Sequence, residues 1–261
     1  MVRAIIVGIL ISLCASLLGV SLVLKHLSMI GDGLSHVGFG ALAVAAALNW
    51  TPMWFAIPVC IAAAFILLRL SENTRIKGDA AIAMVSSGAL AVGIMVISRS
   101  TGMSTDVYNY MFGSILSLSA DDAILSVILS VCVLILFILF YPRLFAITFD
   151  ETFSQATGIH TGLYNSALAV LTAVTVVIGM RMMGAMLISS LIIFPALTAM
   201  RIFRHFKSVT ICSAVTSVIC FLIGMFISVL LETPSGASVV CVDIAAFIIF
   251  MIAGKIFILL R

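Results

Sequence analysis

The chain has 261 residues, of which 64% are hydrophobic and 9% charged, with a formal net charge of +3 and a mean hydropathy of +1.36. A soluble domain carries about 25% charged residues, so this chain has too few polar groups to cover a globular surface, and no nucleic-acid partner is expected. An integral membrane protein remains, and at roughly 20 apolar residues per span it has room for about eight or nine.

The expected fold class is all-α, a polytopic helical bundle, because long apolar runs satisfy their own backbone in lipid whereas a barrel shows short alternating segments. Apolar segments lie at 4–24, 31–48, 52–70, 79–98, 123–141, 164–180, 183–200, 208–231 and 237–260. No linker is long enough to divide them, so residues 1–261 read as one membrane domain. The first segment has a weak basic region and no small-residue cleavage site, and reads as a retained helix.

The second segment carries the chemistry. In "SMIGDGLSHVGFGALAVAAAL", Asp32 and His36 are four residues apart and share one helical face. Gly33, Gly38 and Gly40, with Ser35 and Ala41, make the helix narrow, and small residues let backbones approach closely in lipid. A carboxylate at the centre of a span costs about 2.5–3.5 kcal/mol on insertion scales, a cost tolerated where the group faces water, a partner or a pore. Two roles are open: Asp32 caps the helix while His36 bonds a carbonyl, or the pair lines a polar path for a divalent cation, with Ser35 as a further polar contact. Nitrogen and oxygen donors suit zinc, and also manganese or ferrous iron. One Asp and one His are few ligands, and a two-fold pairing of identical chains would bring two of each to an axis. A sparse set also releases its ion, unlike a closed structural site. Because imidazolium cannot ligate, acidification that protonates His36 is expected to weaken metal retention.

Farther along, "RLFAITFDETFSQATGIHTGLYN" is a long, weakly amphipathic connector with Gly158 as a helix stop. Met180, Met182, Met183 and Met186 sit at one end of an apolar run, where packing is favoured over soft-metal binding. The six cysteines form no C-x-x-C pair and read as small hydrophobes. After Pro195, "LTAMRIFRHFK" sets Arg201, Arg204, His205 and Lys207 among Ile202, Phe203 and Phe206. It is either a positive helix end or a short helix docking a cytoplasmic partner, with Phe203 and Phe206 as anchors and Arg201 and Arg204 on the rim. In the last segment Asp243 either pairs with a neighbouring helix or adds a second polar contact to the path.

Loops after odd-numbered segments collect Lys25, Arg69, Arg75, Lys77, Arg143, Arg201, Arg204, Lys207, Lys255 and Arg261, against Arg3, Arg99 and Arg181 on the other side. The richer side is expected to be cytoplasmic, which puts the N-terminus outside and the C-terminus inside. There is no G-x-x-x-x-G-K-[ST] loop for ATP and no hydrolase constellation, so the chain is not expected to be an enzyme.

The stretches "LKHLSMIGDGLSHVGFGALAVA", "YNYMFGSIL" and "MRMMGAMLISSLIIFPALTAMRI" resemble the ABC-3 family of permease subunits, which serve zinc- and manganese-uptake ABC importers. The most specific elements are G-D-x-L-S-H and the pattern running from Gly184 to Ala199. The resemblance covers essentially the whole chain and implies a type II importer-like bundle in a bacterial plasma membrane. It implies a homodimer served by two separate cytoplasmic ATPase subunits and an extracytoplasmic metal-binding protein. It also implies no permanently bound cofactor, ATP only on the partner subunit, and a Zn2+ or Mn2+ path through Asp32 and His36. The basic stretch after Pro195 falls where related vitamin B12-type permeases place their ATPase-coupling helix. Asp243 departs from the family pattern, in which an apolar residue is usual. The alternatives are an ion-driven secondary carrier, which would show an inverted repeat of interrupted helices, and a membrane scaffold or enzyme; no repeat of the Asp32 segment is visible.

Overall fold

The computed structural model describes residues 2–72, 78–99 and 120–259, and every regular element among them is an α-helix. They are α1 (Val2–Leu24), α2 (Ile30–Ala47), α3 (Pro52–Glu72), α4 (Gly78–Arg99), α5 (Ala120–Phe149), α6 (Glu151–Ala156), α7 (Thr161–Met183), α8 (Ala185–Met200), α9 (Phe206–Leu231) and α10 (Ser235–Leu259). Eight are long and apolar enough to cross a membrane, and α8 is a shorter apolar helix. The nine expected segments each coincide with one of these. The "YNYMFGSIL" stretch, Arg75, Lys77 and Arg261 lie outside the described residues.

Helix directions follow from side-chain ladders. Phe221 of α9 packs on Gly8 of α1, Ser217 Oγ donates to the Ser12 carbonyl at 3.1 Å, and Ser213 Oγ donates to the Ser16 carbonyl at 3.3 Å. Each step is four residues up one helix and four down the other, so α1 and α9 are antiparallel. In α8 and α10 the partners are Ser190 with Asp243, Phe194 with Phe247, and the Arg201 carbonyl with Gly254. The offset of 53 residues is the same each time, so these two helices run parallel in one register. Lys25 with Asn165 and Asp122 with Arg181 tie opposite ends of α7 to α1 and α5.

With α8 counted, successive long helices therefore alternate in direction. One end of the bundle carries Arg3, Arg99 and Arg181; the other carries Lys25, Arg69, Arg143, Arg201, Arg204, Lys207 and Lys255. No loop separates α7 from α8: Gly184 alone makes the reversal, at φ 90°, a conformation L side chains rarely adopt. That economy leaves α8 only 16 residues long.

Helix α2 is packed between α3, α4, α7 and α8. A side-chain carbon on Gly40 would sit 2.6 Å from the Ala89 carbonyl oxygen of α4, so bare backbone is what lets these helices touch.

Candidate cation site

Within α2, thirteen of the sixteen residues from Ile30 to Ala45 are buried, and the exceptions are Asp32, His36 and Val44. The two ionisable side chains share one face of the helix and are partly exposed, Asp32 41% and His36 27%. His36 Nε2 lies 3.7 Å from Asp32 Oδ2, too far for a strong hydrogen bond yet close enough for both atoms to reach one bound ion. Asp32 sits in the first turn of α2, where the helix dipole favours a carboxylate, but α2 has no side-chain cap hydrogen bond. The N-cap position itself is Met29, three residues before Asp32.

What Asp32 does receive is a hydrogen bond from α8: Ser189 Oγ donates to Oδ1 at 3.2 Å, while also lying 3.2 Å from the Ala185 carbonyl oxygen. Ser189 was not singled out by sequence reasoning. The signal was the doubled hydroxyl of "ISSL" in an otherwise apolar helix, but its partner depends on how α2 and α8 are aligned. Ser35 is turned away from the open face. It is almost fully buried, and its Oγ donates to the Asp32 carbonyl oxygen at 2.7 Å, a local bond that occupies the hydroxyl.

Asp243 lies on the other flank of α8. It is 1% exposed, accepts a hydrogen bond from Ser190 Oγ at 2.8 Å through Oδ2, and is also approached by Cys220 of α9. Its Oδ1 has no partner among the described residues. Two consecutive serines of α8 thus serve two carboxylates, one on an open face and one enclosed. The methionines divide similarly: Met180, Met182 and Met183 are core, Met180 resting on Gly38, while Met186 is half exposed. All six cysteines are free, with Cys132 and Cys241 on outer faces. Among the described residues no three His, Cys, Asp or Glu side chains cluster as a metal cage.

At the cation-rich end the stretch after Pro195 is not a separate helix. Helix α8 runs through Pro195 to Met200, residues 201–205 form a turn, and α9 starts at Phe206. Arg201 stacks on Phe247 at 5.2 Å from the ring centroid, Arg204 is exposed, and Phe203 is 40% exposed. Phe206 points inward, 5% exposed, into a cluster with Tyr141, Phe145 and Phe149. The expected pair of outward anchors is thus one outward ring and one brace, because Phe206 opens α9 on its inner face. The separate short helix at this end is α6, capped by Asp150, whose Oδ1 accepts from the Phe153 amide at 2.8 Å. Phe153 is 66% exposed on it, and Glu151 is tied to Lys25 and Asn165.

Residues 1–254 match the family described as the ABC 3 transport family. The chain is 28% identical over 246 residues to the high-affinity zinc uptake system membrane protein ZnuB of Haemophilus influenzae, covering 94% of each. It is 30% identical over 254 residues to the manganese import system permease protein ScaB of Streptococcus gordonii, covering 97% of this chain and 91% of that one. Its fold overlays a solved structure of PsaBC from Streptococcus pneumoniae in complex with Fab at a TM-score of 0.85 and 29% identity, over 95% of this chain and 89% of the other.

Proposed function

This chain belongs to the ABC 3 transport family, and on that premise we propose that it is the permease subunit of an importer for a divalent transition metal, powered by a separate ATPase. The observation that carries this is the partly exposed Asp32 and His36 on one face of a largely buried α2. An ionisable pair left open in a bundle this apolar needs water, an ion or a partner to offset its desolvation. Two copies related by a two-fold axis, with these faces together, would supply two carboxylates and two imidazoles. That donor set suits Zn2+, Mn2+ and Fe2+ alike, and the order Zn2+ first, Mn2+ second and Fe2+ third follows the zinc and manganese relatives. Ser189 holds one Asp32 oxygen and leaves the other beside His36, so the ion meets a carboxylate already oriented.

The end rich in Lys and Arg is the cytoplasmic one. Two ATPase subunits dock there, on α6 with its outward Phe153 and on the 201–205 turn with Phe203 and Arg204. An extracytoplasmic metal-binding protein delivers the cation at the opposite end, near Arg3 and Arg181. No cofactor stays bound; the metal is cargo and ATP belongs to the partner.

The test is metal-resolved uptake into vesicles carrying the full complex, with Zn2+, Mn2+ and Fe2+ supplied singly. Asp32→Ala and His36→Ala are each expected to abolish uptake while membrane insertion and dimerisation persist. Normal uptake in both variants would overturn the assignment.

A further inference from the structure

Among the described residues Asp243 is the only charged side chain that is buried, and the proposed ion path does not use it. It is a carboxylate 1% exposed, with one oxygen unpartnered among the described residues, on a helix where an aliphatic side chain would pack without any desolvation cost. Its one side-chain bond of good length is to Ser190, and Ser190 adjoins the serine that holds Asp32. Adjacent residues on an α-helix point about 100° apart, so fixing the direction of one fixes the direction of the next. The bond also lies in the parallel α8–α10 seam, whose other steps, Phe194 on Phe247 and the Arg201 backbone on Gly254, would tolerate sliding better than a paired carboxylate would. A single polar residue in an apolar helix seam is the best-attested device for setting register. Helix α8 has reason to need one, being short, entered by a reversal at a single glycine and carrying Pro195 within it.

We infer that Asp243 is a positioning residue for the cation site: its bond to Ser190 locks the rotation and register of α8, so that Ser189 is presented to Asp32. This inference rests on the reading of Asp32 and His36 as the ion-path pair. A slip of one helical turn would carry Ser189 about 5.4 Å along the axis, out of reach of Asp32. The carboxylate would then lose its orienting bond while the rest of the fold persisted.

Two measurements on the full chain in lipid nanodiscs test it. In the first, cysteines replace Asp32 and Ser189, and oxidative cross-linking between them is quantified by mass spectrometry. The pair is expected to cross-link, with yield falling several-fold when Asp243→Leu or Ser190→Ala is added and recovering with Asp243→Asn, which keeps an acceptor for Ser190. An unchanged yield with Asp243→Leu and Ser190→Ala overturns the positioning role. In the second, Zn2+ alone is titrated into the parent, Ser189→Ala, Asp243→Leu and the double variant. Each single change is expected to weaken binding roughly ten-fold, the size of one hydrogen bond to a charged group, and the double variant no more than either single. Additive losses, or parent affinity in Asp243→Leu, also overturn it. If Asp32→Ala itself keeps parent affinity, the ion-path reading fails instead, and the cross-link alone decides whether Asp243 positions α8.

Discussion

Lys25 and Asn165, 140 residues apart in the chain, meet at 2.6 Å where α1 ends and α7 begins. Lys25 Nζ also reaches Glu151 Oε2 at 3.1 Å, and Asn165 Nδ2 donates to Glu151 Oε1 at 2.7 Å, closing a three-membered ring of polar contacts. The ring fastens α6, whose first residue is Glu151, to the two spanning helices beneath it.

Lys25→Ala is therefore expected to cost more than an ordinary surface change. It strands the buried Asn165 amide oxygen, a loss of about 1–3 kcal/mol, whereas Glu151→Gln keeps an acceptor and costs well under that. Thermal unfolding of the two purified variants distinguishes them. If α6 is the docking element, Lys25→Ala also lowers metal-stimulated ATP turnover by the reconstituted complex.

Ser189→Ala should impair uptake without abolishing it. The hydroxyl orients Asp32 but is not needed as a ligand, so a loss of roughly ten-fold is expected, against complete loss in Asp32→Ala. Initial uptake rates at fixed metal concentration settle the ranking; a Ser189→Ala transporter as dead as Asp32→Ala would make the serine a ligand in its own right.

Two glycines should behave oppositely. At Gly40 a methyl group would press on the Ala89 carbonyl, part of rigid backbone, so Gly40→Ala forces α2 and α4 apart at a cost of about 1–3 kcal/mol. At Gly88 of α4 an added methyl group would meet nothing within 4 Å among the described residues beyond its own stretch of helix, and Gly88→Ala is expected to be neutral or to stabilise by up to about 1 kcal/mol through helix propensity. Melting temperatures in one detergent test both at once.

Phe203 and Phe206 are expected to separate as well. Phe206→Ala opens a void among Tyr141, Phe145 and Phe149 and lowers stability by about 3–5 kcal/mol. Phe203→Ala should melt like the parent yet retain less ATPase subunit on copurification. Equal loss of stability in both would remove Phe203 from the docking surface.

Much of this protein is written in its hydropathy. Nine apolar segments and the separation of cations between two ends follow from local composition, because lipid imposes the same requirement on every span regardless of its neighbours. Asp32 and His36 also stood out locally, since a four-residue spacing puts two side chains on one helical face whatever surrounds it. The partners of those groups could not be read this way. That Ser189 serves Asp32 and Ser190 serves Asp243, that Ser35 spends its hydroxyl within its own helix, and that Phe206 braces while Phe203 faces out all depend on rotation and register between helices. In a bundle where nearly every face is apolar, hydropathy gives no preferred rotation. The choice is made by close contacts such as Gly40 on Ala89 and by a few buried polar bonds, and these exist only once helices distant in sequence are packed together.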